Sequence, residues 1–395
     1  MLNPYRAILG AVAAVIFLVF SGPALAQSCA WSGAATISTR AKAMTVDLTG
    51  CEMVQTLSYT LASNGGGARF KNITGALLDT AASFTDLAGN KFQYLPEGRM
   101  DVLQFGCLGD WDGSDATSAD DLPCFRAANA FAVLRVGSVY PGAGGHWGGT
   151  VYVPSRSYKL CGDGNSPFTV DNAVSFEGEG SWTSTLRMCN AWNPSVHFVV
   201  GCLVSNQFAC FSSTLRKMNL SADRDVSAGN RVFMYYSEAT QHDGGLFEVN
   251  FFAGRRGCVW YRKGWGGASR VTLQKLECNA GGSNAMFVIG DYESSGMNVG
   301  STQFFMYDIT MGGPSSPNYQ TQPGLVVFGG YGTFKTFHCE WMVNCATVYV
   351  PVPHANNYVQ TFENMTASGS GGGPITCDAA ISIVSGTVVA SQIQS

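Results

Sequence analysis

A repeated apolar pattern runs through the C-terminal half of the chain. Six segments carry apolar residues at their first, fourth and sixth positions, and they begin at Leu215, Leu246, Leu273, Phe304, Phe334 and Phe362. The steps between these starts are 31, 27, 31, 30 and 28 residues. A unit of this length cannot bury its apolar face alone. The pattern is therefore typical of a solenoid, in which each repeat packs against its neighbours.

A second family of apolar runs lies between the first. These runs begin at Val232, Val259, Met286, Leu325, Val348 and Ile381. The connecting segments hold Gly, Ser, Asn and Pro, which permit turns, and none has the pattern of an amphipathic helix. We therefore predict an all-β fold, a single-stranded right-handed parallel β-helix. A leucine-rich repeat is disfavoured because its repeats are shorter and carry a different asparagine pattern.

The N-terminus predicts export. Arg6 precedes an apolar stretch that starts at Ile8, and Ala24-Leu25-Ala26 provides a small-residue cleavage site. The stretch is shorter than the ~20 residues that a membrane anchor needs. We expect residues 1–26 to be a cleaved signal peptide, 27–100 a small β-rich region without an assigned role, and 101–395 the β-helix domain. The mature protein is then secreted, periplasmic or extracellular, with no membrane segment.

The 13 cysteines all follow the predicted cleavage site. An exported protein can keep disulfides, and the absence of CxxC spacing argues against a cysteine metal site. Pairing the cysteines that are close in sequence leaves Cys377 alone. This hypothesis, which spacing does not prove, gives the pairs Cys29–Cys51, Cys107–Cys124, Cys161–Cys189, Cys202–Cys210, Cys258–Cys278 and Cys339–Cys345.

Residues 102–160 contain a second set of signals. They include Phe105-Gly106, Gly109-Asp110, Asp120-Asp121 and the run from Gly149 to Pro154, followed by Tyr158. This segment resembles the opening module of the pectate-lyase-like superfamily, in its rhamnogalacturonase/epimerase-like and phage-tailspike-like branch. Departures include Cys107 in place of the usual alanine and a longer loop after Trp111. The resemblance implies a parallel β-helix with sites on an outward sheet face, and homotrimers among the tailspike-like relatives.

The acidic pair in this module is interpreted as structural. Asp120 or Asp121 can cap a helix, and Pro123 suits its first turn. Apolar residues then recur at helical spacing at Leu122, Phe125, Ala128 and Ala132. We expect a short N-terminal capping helix that covers the open end of the β-helix. A catalytic role for the two carboxylates is the weaker alternative.

Alternation along each strand places a row of polar side chains on the outer surface. The predicted row is Asn219, Asn250, Glu277, Asp308, His338 and Thr366. Adjacent carboxylates can act as an acid and a base for glycoside hydrolysis. We therefore predict Glu277, Asp308 and His338 as catalytic residues, with neither stereochemical outcome preferred. Substrate-binding residues are predicted to be Lys275, Glu248, Asn250, Glu340, Trp260 and Tyr292.

Two other functions stay open. A lyase or epimerase would use Lys275, Arg262, Lys263 or Arg270 as the base, with Ca²⁺ held by Glu248, Glu277 and Asp308. A hydrolase is favoured and needs no cofactor, but a non-catalytic surface or binding β-helix is also consistent with the sequence. Exposed aromatic rings can stack on sugars, and the candidates are Trp260, Tyr261, Trp265, Tyr292, Tyr331 and Trp341. A polysaccharide is the expected partner, and nucleic acid is not, because the net charge is −4 and no basic run occurs.

Overall fold

The computed structural model describes most of the chain after the predicted signal peptide. The described residues are 29, 33–61, 65–96, 100–136, 149–171, 173–201, 210–211, 213–222, 231–237, 241–242, 244–254, 256–262, 270–280, 284–290, 303–313, 323–328, 331–341, 345–349, 359–368 and 387–394. Residues 1–26, which carry the predicted signal peptide, lie outside them. The chain divides into two compact units, Met1–Glu97 and Gly98–Ser395.

The first unit is a small sheet with one short helix. Its strands have the order β1-β2-β3-β5-β4, and β1 and β2 are parallel whereas the other pairs are antiparallel. The rings of Phe70, Phe84 and Phe92 pack together in its core. The bounds are β1 (Ala34–Thr39), α1 (Arg40–Ala43), β2 (Met53–Ser58), β3 (Gly66–Ile73), β4 (Phe84–Thr85) and β5 (Lys91–Leu95).

The second unit opens with a helical cap. Strand β6 (Met100–Asp101) leads into a 3-10 helix (Val102–Phe105), and helix α2 (Leu122–Val136) follows. Phe125 of α2 is fully buried, and its ring packs 5.3–5.9 Å from the rings of Tyr158, Phe168 and Phe176. The helix thus seals apolar side chains of the first coils. The predicted capping helix is confirmed.

Two parallel sheets form the coils of this unit. The first has the order β26-β25-β23-β21-β19-β17-β14-β10-β7-β6, with β11 and β8 continuing from β14. Its strands are β7 (Thr150–Val153), β8 (Ser157–Leu160), β10 (Ser175–Gly178), β11 (Thr185–Met188), β14 (Thr214–Ala222), β17 (Gly244–Gly254), β19 (Arg270–Ala280), β21 (Gln303–Gly312), β23 (Tyr331–Glu340), β25 (Val359–Ser368) and β26 (Thr387–Gln394).

The second sheet carries the second predicted strand family. Its order is β24-β22-β20-β18-β15-β12-β9, and every pairing is parallel. The strands are β9 (Phe168–Thr169), β12 (Val199–Val200), β15 (Phe233–Ser237), β18 (Gly257–Tyr261), β20 (Phe287–Ile289), β22 (Leu325–Phe328) and β24 (Ala346–Tyr349). A small separate ladder joins β13 (Cys210–Phe211) to β16 (Gln241–His242). The predicted strand at Ile381 lies outside the described residues.

A single left-handed residue bends each of the strands β14, β17, β19, β21 and β23 of the first sheet. These residues are Lys217, Glu248, Lys275, Asp308 and Thr336, with φ between 54° and 58°. We call them the corner row, because the register stacks them on successive strands. The bend divides each strand into two arms, so that each coil has three straight segments. It also explains why the apolar residues lie three apart and then two apart.

The strand register corrects one part of the sequence prediction. Leu273 pairs with Met306, not with Phe304, and Glu277 pairs with Thr310, not with Asp308. Met306, which is not one of the apolar positions counted from Phe304, is fully buried. Both Phe304 and Met306 begin a segment with the same apolar spacing, and pairing with the neighbouring strands selects the second. The corrected starts are Leu215, Leu246, Leu273, Met306, Phe334 and Phe362.

The predicted right-handed parallel β-helix is confirmed, in the handedness that parallel crossovers take almost without exception. Five of the predicted disulfides are also confirmed. They are Cys29–Cys51, Cys107–Cys124, Cys161–Cys189, Cys258–Cys278 and Cys339–Cys345. Cys202 and Cys377 lie outside the described residues. Among the helices of the described chain, none has the length and apolar character needed to cross a membrane.

Candidate functional site

Two columns of side chains line the outer surface after the bend. Their inward neighbours Leu276, Cys278, Phe337 and Cys339 are essentially fully buried, which fixes the outward direction of the residues between them. The first outward column is Asn219, Asn250, Glu277, Thr310 and His338. The second outward column is Ser221, Phe252, Asn279, Gly312 and Glu340.

Glu277 and the pair His338–Glu340 are the titratable groups of these columns. Asn279 Nδ2 donates a hydrogen bond of 3.0 Å to Glu277 Oε1, which orients that carboxylate. The Nε2 atom of His338 lies 2.7 Å from Glu340 Oε1, and both side chains are about two-fifths exposed. Glu277 is also partly exposed, so solvent can reach each of these groups.

Small residues separate the two groups. Thr310 and Gly312 occupy the strand between the strand of Glu277 and the strand of His338. Adjacent strands are ~4.8 Å apart, so the two sets of titratable groups stand roughly 10 Å apart along the column. At Gly312 a Cβ atom would come within 2.7 Å of Asn279 Oδ1. We call this low region between Glu277 and His338–Glu340 the saddle.

A turn on the preceding coils forms the wall at one end of the columns. Strands β10 and β11 pair with the two arms of β14, so the turn that joins them replaces a corner residue. The carbonyl oxygen of Ser181 accepts a 3.3 Å hydrogen bond from Asn250 Nδ2, two strands further on. Trp182 beside it is 61% exposed, and its ring meets Phe252 edge to face at 5.6 Å. Asn219 and Asn250 are consequently buried.

The acidic pair of the cap is fully engaged by backbone amides. Asp120 accepts hydrogen bonds from the amides of Leu122, Cys161 and Gly162. Asp121 accepts from the amides of Leu108 and Gly109, and burial raises the pKa of its carboxyl to about 6 in spite of these bonds. The contacts support the structural interpretation of this pair.

Asp308 does not join the first outward column. It stands in the corner row, exposed, one strand beyond Lys275. The predicted adjacency of Asp308 with Glu277 and His338 in one row is therefore wrong, because Thr310 takes that place. The cause is the two-residue ambiguity in β21, where the apolar spacing from Phe304 equals the spacing from Met306 and only pairing with Leu273 selects Met306.

The predicted calcium ligands do not converge. Glu248 Oε1 lies 3.7 Å from Lys275 Nζ, and the register places Lys275 between Glu248 and Asp308 in the corner row. Glu277 belongs to a different column. A cation bound by these three carboxylates would face the ammonium group of Lys275, so the arrangement does not fit a calcium site.

The predicted sugar platform at Trp260 is also wrong. Trp260 is only 5% exposed, and its Nε1 donates a 2.9 Å hydrogen bond to the carbonyl of Gly290. Tyr261 is likewise buried. Tyr292 and Trp265 lie outside the described residues. Trp182 and Phe252 were missed as a pair, since no repeat marks Trp182 and only the folded turn brings it to the columns.

Comparisons with known proteins give structural likeness alone. No family model matches the sequence, and no curated protein does. Tailspike protein 2 of an Escherichia coli bacteriophage is 10% identical, with a TM-score of 0.43 over 80% of this chain and 45% of its own. A glycan biofilm modifying enzyme of Pantoea stewartii, described as having a tailspike-like parallel β-helix fold, is 12% identical, with a TM-score of 0.41 over 90% of this chain and 52% of its own.

A third similar structure is a mannuronan C-5 epimerase A-module of Azotobacter vinelandii. It is 14% identical, with a TM-score of 0.30 over 75% of this chain and all of its own. This chain spans about half the length of the tailspike and the Pantoea protein. The parallel β-helix that the sequence resemblance implies is confirmed by the strand register of this chain.

Proposed function

We propose that this chain is an exported polysaccharide-active protein and that it hydrolyses glycosidic bonds. The observation that carries the proposal is the saddle, which has Glu277 on one side and His338–Glu340 on the other. Glycoside hydrolysis commonly uses two carboxyl groups that flank the bond to be cut. In this arrangement Glu277 and Glu340 are the acid and base, and His338 orients Glu340. Glu340 takes the chemical role that the sequence analysis predicted for Asp308.

The charges around the saddle favour hydrolysis over chemistry on uronates. From Phe252 onward, the described residues of the two outward columns contain no Lys or Arg. A lyase or epimerase must neutralise the carboxylate of a uronate and must place a base near its C–H bond. Two carboxylates at the saddle would instead repel a uronate. A neutral sugar meets no such penalty there.

The test is a comparison of point variants on a panel of extracellular polysaccharides. Glu277→Gln preserves shape but cannot exchange a proton, and we expect it to slow release of reducing ends by at least about 100-fold. Glu177→Gln is the matched control, because this partly exposed carboxylate lies on the arm before the bend and pairs with Lys217 at 3.2 Å. Circular dichroism verifies that both variants fold.

Three results would contradict the proposal. The first is full activity of Glu277→Gln on a polysaccharide that the native protein cleaves. The second is ultraviolet absorbance of an unsaturated uronate, which indicates β-elimination and returns attention to Lys275. The third is binding of polysaccharides without any cleavage, which would identify the chain as a non-catalytic binding β-helix.

A further inference from the structure

Trp182 and Phe252 form an exposed aromatic step at the wall of the two columns. Trp182 is one of the few large apolar side chains of the described chain that are more than half exposed. Its neighbour Phe252 is partly exposed, and their rings are 5.6 Å apart at 62°. An exposed tryptophan loses the favourable burial of its large apolar surface, which a bound partner can restore.

The turn that carries Trp182 is held firmly in place. Glu179 N donates to Ser184 Oγ at 2.9 Å, and Ser184 Oγ donates to the carbonyl of Val153 at 2.8 Å. The Ser181 carbonyl accepts from Asn250 Nδ2 on the far side of the turn. Anchors on both sides keep the Trp182 ring over the columns. A preorganised ring of this kind contributes contact area at a small cost in conformational entropy.

The aromatic step is continuous with the saddle. Phe252 pairs in register with Asn279, and Asn279 donates to Glu277 Oε1. The ring of Phe252 therefore lies one strand, ~4.8 Å, from the residue that orients the proposed acid or base. The polar groups of Asn279 and Glu277 thus lie directly beside the apolar surface of the aromatic step, as an amphipathic ring such as a pyranose requires.

We propose that Trp182 and Phe252 form a subsite for a neutral pyranose unit, whose C–H face stacks on the tryptophan while its chain continues across the saddle. This inference rests on the proposed function for the path of the glycan, but not for catalysis. The carboxylates of Glu277 and Glu340, further along the columns, accept hydrogen bonds from sugar hydroxyl groups and repel acidic sugars. The aromatic step would determine in which direction the polysaccharide runs and which of its glycosidic bonds lies at Glu277.

Binding to the Glu277→Gln protein tests the subsite separately from cleavage. The probes are a printed array of neutral and acidic glycans and, in solution, neutral hexasaccharides of glucose, xylose and galactose beside hexagalacturonate, read by tryptophan fluorescence and calorimetry. We expect neutral probes to bind and Trp182→Ala to weaken them at least about tenfold. Trp182→Phe should recover part of the affinity. Leu78→Ala, which truncates a side chain that is 75% exposed in the other unit, is the control and should change nothing.

The outcomes separate this inference from the proposed hydrolysis. Loss of neutral-glycan binding in Trp182→Ala supports the subsite even if no glycan is cleaved. Cleavage by the native protein with the same KM in Trp182→Ala would overturn the subsite and leave the hydrolase intact. Stronger binding of hexagalacturonate than of every neutral probe, or binding of no probe, would also overturn it.

Discussion

His197 makes the stability of the β-helix depend on pH. Its imidazole ring stacks on Tyr236 with the ring centres 4.1 Å apart, and its Nδ1 accepts a 3.0 Å hydrogen bond from the amide of Phe233. Burial, with a smaller effect from the guanidinium of Arg256, lowers the pKa of His197 from 6.5 to about 4. The folded protein therefore keeps this histidine neutral.

The magnitude follows from proton linkage. Between pH 6.5 and about 4, the unfolded chain binds a proton at His197 that the folded chain does not. The contribution to the free energy of unfolding is thus complete above pH 6.5 and falls as the pH falls, by roughly 3 kcal/mol in total. Asp121 acts in the opposite direction, because its raised pKa lets the folded state bind a proton first and adds stability towards acid pH. A comparison of variants is needed to isolate His197.

His197→Asn is the informative variant. Its Oδ1 can accept the hydrogen bond from Phe233, but the amide does not titrate. Denaturant unfolding with the disulfides intact measures the free energy of unfolding of both proteins at neutral pH and near pH 4. We expect the native protein to lose roughly 3 kcal/mol of its advantage over the variant on acidification, because Asp121 is common to both. A difference that stays constant, or grows, with acidification would refute the reasoning.

Two further predictions concern the columns and the corner row. Gly312→Ala should push Asn279 away from Glu277, because the new Cβ atom would lie 2.7 Å from Asn279 Oδ1. Since one orienting contact is lost, we expect the rate of hydrolysis to fall at least about tenfold while the protein stays folded. Thr310→Ser, on the same strand, should leave the rate unchanged, and an unaffected Gly312→Ala enzyme would speak against the saddle. Thr336→Gly should raise the free energy of unfolding by about 1 kcal/mol, since a β-branched residue is costly at its φ of 58°. A destabilised glycine variant in thermal unfolding would contradict this account of the bend.

The sequence was sufficient for the β-helix but not for its register. The spacing of apolar residues reveals the coils because burial imposes it on every strand. The left-handed corner has no such signature, since Lys275, Asp308 and Thr336 share no preference for that conformation. Two segments of β21, from Phe304 and from Met306, satisfy the same spacing, and only pairing with Leu273 distinguishes them.

In the candidate site, too, the residues on repeats were predictable from the sequence and the residues on turns were not. The sequence predicts Glu277 and His338 as outward residues because they stand on repeats, and it predicts Glu340 as a substrate-binding residue. Trp182 belongs to a turn that interrupts the repeats, so its position over the columns depends on a hydrogen bond between distant segments. The prediction for Trp260 is wrong because its sequence neighbours do not show that the ring lies inside. The carbonyl of Gly290 accepts its N–H group and makes that burial possible.

The described disulfides also determine how the β-helix unit can unfold. In the β-helix unit their sequence separations run from 6 to 28 residues, so each bond closes a stretch no longer than about one coil. None of these bonds fastens one end of the stack to the other. Chemical reduction would then loosen individual coils, and each loosened coil would expose the strand edges of its two neighbours. Damage would spread outward from the reduced bond, and a protease would cut the protein into stacks of whole coils.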